Sequence, residues 1–548
     1  MEASAELELA GPAGTKRALY FGAAGHELFG WYHRPAAGRF RDAAVVLVNP
    51  LGTDFTRSDR VYRHLAEELA AAGFPVLRYD MFATGDSAGE EPAPALVRHW
   101  LDDIGRAGAE VRARSGASKL VLVGLRLGGT LAMAHAAERS GTVDSLVLWS
   151  PCVSGKAFVT EAVKMDKLYR RLDPLLADAA PPAADGEEAL GVFLSRSTVD
   201  DLGKVDLLTT TERPAARTLF IDGGMVAGRD AMLAHLGKLG AEPELRAHPG
   251  HKFLITISHR GLLPTDVLTS IGSWLAERYP DVPAPAGPPP GPATVLSGPS
   301  GERPLVFGQR PLFGIFTPRA AGLDRPAPPP IVLTNAGCVN RSGPHRLYAR
   351  MARRWSALGF DVLRVDLSGI GDSPAAPDTD ENVTYPPSGL DDLAQAIDAL
   401  GVKANERVVI AGLCSGGDYA FQLGTRDRRV ATAVIMNPRT FCMLDLKAVE
   451  SSSSEPPGPT VASVPAALRS MVDATVDTLL VVSLRDPGIA YVDTHYAGEM
   501  RALGSAAGFV RIDIRGADHT FTPVGSQDRV LEAVTAHLAR RYGARAGA

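Results

Sequence analysis

Cysteine is scarce: the 548 residues hold four, Cys152, Cys338, Cys414 and Cys442. Their scatter excludes a disulfide framework and offers no paired spacing for a zinc site, so a reduced cytoplasm is the expected compartment. Long apolar runs are missing as well. None approaches the roughly 18 residues that a membrane helix needs, and no membrane span is expected. Neither charge sign dominates. The net charge of -5 sets up no field that would draw in nucleic acid. Residues 1–17 carry Glu2, Glu6 and Glu8 without a basic start or an apolar centre, which does not read as a secretory signal. There is no Walker-type loop, no HExxH and no full G-x-G-x-x-G; Gly369-Ile370-Gly371 reads as part of a turn. No metal and no cofactor is therefore expected. What is present is 45% hydrophobic against 22% charged residues, the balance of a globular chain of about two to four domains.

The strongest signal is internal repetition. YRHLAEELAAAGFPVLRYDMFATGDS begins at residue 62, and YARMARRWSALGFDVLRVDLSGIGDS begins at 348. They end at 87 and 373, so the offset holds at 286. VLVGLRLGGTLA (121–132) likewise answers VIAGLCSGGDYA (409–420). A long period occurring twice predicts a duplicated domain. The expected boundaries are 17–278 and 304–543, joined by a Pro/Gly-rich linker over 279–303 that favours an extended spacer.

Within each copy, short apolar runs alternate with amphipathic segments. Strands are predicted over 44–49, 75–80, 119–124 and 145–150 in the first copy. In the second they are predicted over 331–335, 361–366, 407–412, 432–437 and 478–484. Helices are predicted around 59–72 and 128–139. Near-continuous apolar strands separated by helices imply an α/β class, a mostly parallel sheet covered on both faces. The less regular stretches 151–215 and 438–475 read as lid insertions, or alternatively as plain surface loops.

In the second copy, a strand runs into Gly412-Leu413-Cys414-Ser415-Gly416-Gly417 and then a helix. This matches a G-x-nucleophile-x-G elbow, in which small residues let strand and helix pass closely under a strained nucleophile. The duplicated elbow and the two Gly-Asp-Ser tripeptides (85–87 and 371–373) resemble the α/β-hydrolase superfamily. The first copy is most similar to lid-bearing serine hydrolases such as monoglyceride lipases and exosortase-associated hydrolases. The cysteine elbow of the second is similar to that of dienelactone hydrolases.

That resemblance implies two tandem α/β-hydrolase domains and a nucleophile–acid–histidine order. In the second copy Cys414, Asp486 and His519 fill it. Asp518 is the alternative acid, and Ser415 is the alternative nucleophile if the elbow register shifts. An imidazolium neighbour raises the thiolate fraction of a cysteine. The resemblance also implies an oxyanion hole from the backbone N–H of Ser415 and of Cys338, with Val339 competing for the second place. Cys152 and Cys442 read as packing residues.

The first copy departs from the pattern. Its elbow reads Gly124-Leu125-Arg126-Leu127-Gly128-Gly129, and a guanidinium cannot attack a carbonyl. His251 occupies the histidine loop, and Asp222 fills the acid position only with a gap; otherwise Val226 falls there. Arg126 and His251 form a candidate anion site in one reading. In the other, Arg126 pairs with a local carboxylate such as Asp222.

The function expected is acyl transfer (thioesterase, acyltransferase or esterase) through a cysteinyl acyl-enzyme at Cys414. The expected partner is a small-molecule or carrier-protein-bound acyl substrate, with the two copies forming an intramolecular pseudo-dimer. The alternatives are a binding or scaffold protein with two relict folds, and a lyase or C–C hydrolase of the same fold.

Overall fold

The computed structural model describes residues 6–11, 14–176, 178–180, 185–224, 226–248, 261–285, 296–323, 326–439, 441 and 464–543. His251, Cys442, the centre of the expected linker and most of the expected second lid lie outside the described residues. The chain divides into two compact units, one of residues 1–166 and 184–299, the other of 167–183 and 300–548.

Among the described residues, the first unit holds a nine-stranded sheet. In spatial order its strands are Glu6–Gly11, Gly14–Ala23, His26–His33, Val76–Tyr79, Ala43–Val48, Lys119–Leu125, Ser145–Trp149, Arg217–Asp222 and Glu242–Ala247. The first three are antiparallel to their neighbours, and the rest run parallel. Strand Ala43–Val48 shows why the run is apolar throughout. Val45 and Leu47 enter the core on one face, and Ala44, Val46 and Val48 enter the core on the other. With side chains alternating across a strand, burial of both faces leaves no position for a polar residue.

The second unit holds an eight-stranded sheet. Its strands are Arg303–Phe307, Leu312–Thr317, Val362–Val365, Ile331–Thr334, Val408–Leu413, Val430–Met436, Asp477–Ser483 and Phe509–Ile514. The first two are antiparallel to their neighbours and the others parallel. Apart from strand Glu6–Gly11, the two sheets share one order. Here too a core covers each face, with Val332 and Ile410 on one side and Leu333 and Val409 on the other.

The Gly-Asp-Ser tripeptides do the same work in both units. Ser87 Oγ donates to the Asp80 carbonyl at 2.6 Å and accepts from Phe29 N–H at 2.9 Å. Ser373 Oγ donates to the Asp366 carbonyl at 2.6 Å and accepts from Phe313 N–H at 2.8 Å. The motif thus pins the turn after one strand to its antiparallel neighbour. It is a structural clasp.

The segment 151–215, expected to be irregular, is largely regular. It forms helix Gly155–Leu172, a hairpin of Gly186–Ala189 and Val192–Ser195, and helix Arg196–Lys204. No helix among the described residues is long and apolar enough to cross a membrane.

Candidate active site

Strand Val408–Leu413 ends at Cys414, and helix Ser415–Arg426 begins on the next residue. Cys414 has φ 60° and ψ -120°, a conformation that costs a non-glycine residue roughly 1–3 kcal/mol. Neighbouring structure holds it there. Its N–H donates to the Met436 carbonyl at 3.0 Å, and its carbonyl accepts from Asp418 N–H at 3.1 Å. Tyr348 Oη accepts from Leu413 N–H at 2.7 Å just before the turn. Gly416 lies where a Cβ would come within 2.6 Å of the Thr334 carbonyl oxygen. Only glycine lets the helix start so close to the neighbouring strand.

Asp486 follows strand Asp477–Ser483 and caps helix Pro487–His495. One carboxylate oxygen, Oδ1, accepts from Gly488 N–H at 3.2 Å; the other, Oδ2, lies 2.6 Å from His519 Nδ1. Aspartate at the cap followed by proline in the first helical turn is a strong helix start. The residue therefore has a structural reason to be held still. His519 Nε2 is buried and makes no hydrogen bond of good geometry among the described residues. Burial alone would strip the proton from this ring, but hydrogen bonds and charge at Asp486 and Cys414 outweigh it. Together they push the ring's pKa up to about 10. Cys414, Asp486 and His519, distant in sequence, thus meet at one place.

The histidine loop is fastened from several sides. Asn437 Nδ2 donates to the His519 carbonyl at 2.8 Å and to Ser483 Oγ at 2.9 Å. Ser483 Oγ donates to the Asp518 carbonyl at 2.6 Å. Tyr169, one of residues 167–183 of this unit, donates its hydroxyl to Asp518 Oδ2 at 2.7 Å. Sequence reasoning missed these supports. The asparagine ending TAVIMN was a readable signal, whereas nothing local marks Tyr169.

The alternatives separate on geometry. The Asp518 carboxylate is taken up by Tyr169 and by Thr522, whose N–H and hydroxyl each donate to it at 2.6 Å. Ser415 is 1% exposed, and its hydroxyl accepts from Gly337 N–H at 2.9 Å and donates to the Asn335 carbonyl at 3.3 Å. That hydroxyl ties the elbow to the loop after strand Ile331–Thr334. Val339 N–H is committed to the Ala336 carbonyl at 3.1 Å. Ser415 N–H heads its helix, where no intrahelical acceptor exists. Cys338 sits on the same loop, its thiol directed at the Asn382 carbonyl at 3.2 Å.

In the first unit, Arg126 takes the same strained conformation as Cys414, φ 52° and ψ -124°. Gly128 repeats the close approach, with a Cβ there reaching 2.6 Å from the Asn49 carbonyl oxygen. Arg126 pairs with local carboxylates, though Asp222 is not among them. Arg126 Nη2 lies 2.5 Å from Glu161 and Nε 3.5 Å from Asp54, whereas Asp222 Oδ2 is held by Arg229 at 2.6 Å. Two carboxylates thus share the guanidinium. Val226, the other candidate for the acid position, carries no charge, and His251 lies outside the described residues. Cys152 is buried beneath Arg126; burial, partly offset by that charge, pushes its thiol up to about 12, so it is a packing residue.

Residues 41–221 match the family described as serine aminopeptidase, S33. No curated protein sequence matches the chain. Among solved structures, Est1E from Butyrivibrio proteoclasticus with ferulic acid bound is 17% identical with a TM-score of 0.36, the match covering 47% of this chain and 98% of that one. The proline iminopeptidase of Mycobacterium smegmatis is 13% identical with a TM-score of 0.35, covering 48% and 98%. An acetyl xylan esterase from Paenibacillus sp. R4 is 19% identical with a TM-score of 0.34, covering 50% and 88%. Residues 41–221 are thus similar to a hydrolase family, and both units carry a mostly parallel α/β sheet with a strand-to-helix elbow.

Proposed function

We propose that the second unit is an acyl-transfer enzyme acting on an ester or thioester through Cys414. The supporting observation is the contact of 2.6 Å between His519 Nδ1 and Asp486, in a ring whose other nitrogen is buried beside the elbow sulfur. The Cys414 thiol passes its proton to His519 as its sulfur forms a bond to the carbonyl carbon, and the carbonyl oxygen takes up the negative charge. The N–H groups of Ser415 and Cys338 stabilise that oxyanion. Collapse breaks the bond to the leaving oxygen or sulfur, to which His519 gives its proton. Water, an alcohol, an amine or a thiol then attacks the acyl-cysteine, handing its proton to His519 as the sulfur leaves. Asp486 fixes the ring's tautomer and stabilises its positive charge. Thioesters of carrier proteins belong to the same substrate class.

The first unit, with Arg126 at its elbow, we read as non-catalytic. The test is the intact mass of the chain after exposure to p-nitrophenyl acetate and to acetyl thioesters. One acetyl group, lost in Cys414→Ala, supports the proposal. No adduct with unchanged turnover in Cys414→Ala defeats it and favours the scaffold reading. Products formed with no acyl-enzyme point to a lyase or C–C hydrolase.

A further inference from the structure

One buried pair near Cys414 has no part in the steps above. Tyr385 donates its hydroxyl hydrogen to Asp418 Oδ2 at 2.7 Å. Asp418 is 0% exposed, on the first turn of the helix that Cys414 opens. Tyr385 itself is only partly buried, and its ring sits 6.1 Å from that of Tyr419. Burial first, then the Asp418 carboxylate and the Cys414 sulfur, push the phenol well above its ordinary range. The hydroxyl therefore stays protonated, and Asp418, whose N–H donates to the Cys414 carbonyl at 3.1 Å, ties it to the elbow. Its one hydrogen is committed to a carboxylate, so it cannot serve an oxyanion. What remains on the oxygen is accepting capacity, and among the described residues no donor occupies it.

We propose that Tyr385 Oη, oriented by Asp418, is a subsite that accepts a hydrogen bond from an N–H or O–H group of the ligand bound at Cys414. This rests on the acyl-transfer reading and narrows its ligands to those with a donor near the reacting carbonyl. The donor has two sources: a hydroxyl or amine on the acyl group, or the attacking acceptor itself. An acceptor shut off from water by a ligand that lacks the donor costs binding, which is how such a group discriminates.

The experiment compares Tyr385→Phe with wild type on two ratios. The first is acylation by p-nitrophenyl glycolate relative to p-nitrophenyl acetate. The second is deacylation of the acetyl-enzyme by water relative to its acylation. A fall of about tenfold or more in the first ratio places the donor on the acyl group; a similar fall in the second places it on the acceptor. Asp418→Ala, which removes the acceptor and frees the phenol to turn, should move the same ratio in the same direction. Both ratios staying within about twofold of wild type overturns the subsite, including when all rates fall in parallel through a packing defect. If wild type itself forms no adduct at Cys414, the acyl-transfer reading fails first and the subsite goes with it.

Discussion

Replacing Asp486 separates the chemistry of the site from its stability. The carboxylate has two duties, one per oxygen: Oδ1 caps helix Pro487–His495, and Oδ2 holds His519. Asparagine caps a helix as well as aspartate does, so Asp486→Asn should leave stability within about 0.5 kcal/mol. Its amide N–H₂, however, faces Nδ1 as a donor where an acceptor is needed. The ring then takes the wrong tautomer and loses the charge that favours its imidazolium. The corresponding change in a serine-protease triad lowers turnover by about 10⁴, and we expect about 10³–10⁴ here. Asp486→Ala should lose similar activity and, in addition, about 1 kcal/mol of stability with the cap. Stopped-flow acylation with p-nitrophenyl acetate reads the first effect, and urea denaturation followed by circular dichroism reads the second. Acylation by Asp486→Asn within about threefold of wild type would refute the role given to Oδ2. An Asp486→Ala protein as stable as Asp486→Asn would refute the role given to Oδ1.

Three further outcomes follow from the same geometry. His519 is raised to about 10 when folded, above its ordinary value of about 6.5, so its contribution to stability is fully present below about 6.5. It is lost as pH rises through about 10, and acylation by an alkyl ester or thioester falls over the same range as the leaving group loses its proton donor; a flat profile to pH 11 with such a substrate would contradict this. Gly416→Ala puts a Cβ 2.6 Å from the Thr334 carbonyl oxygen, and backbone must move to admit it. Urea unfolding should show a loss of about 1–3 kcal/mol. Arg126→Ala leaves Asp54, already pushed up by burial, with Arg57 but without the stronger of the two cations that favour its charge. The variant should lose about 1–3 kcal/mol at pH 7, and less as the pH falls and Asp54 takes up a proton.

The central strands were legible because burial on both faces forces unbroken apolar runs. The prediction of 44–49 meets strand Ala43–Val48, and 119–124 meets Lys119–Leu125. Sequence reading missed Arg217–Asp222, buried inside its sheet, but most strands that it missed lie at the margins. Glu242–Ala247 and Phe509–Ile514 end their sheets and carry Glu244 and Arg246, and Arg511 and Asp513. With one flank unpaired and several positions near water, the apolar pattern dissolves. The antiparallel strands at the opposite edges, Gly14–Ala23 and Leu312–Thr317 among them, escaped for a related reason: a hairpin gives a weaker signal than a strand–helix alternation.

At the site, the residues in local motifs could be found. Cys414 stands out between its glycines, and Asp486 just before a proline. What could not be read were partners set by tertiary packing. Arg126 meets Glu161 and Asp54 across the fold instead of Asp222, and Asp518 finds Tyr169 some 349 residues away in sequence. Spacing along the chain carries no information about such pairs.

The most direct test of the account is where an acetyl group ends up. After brief exposure of the full chain to acetyl thioester, peptide mass mapping should find it on the Cys414 sulfur, with Cys152 and Cys338 unmodified and the adduct absent in His519→Ala. Labelling spread evenly over the cysteines, or unchanged in His519→Ala, would contradict it.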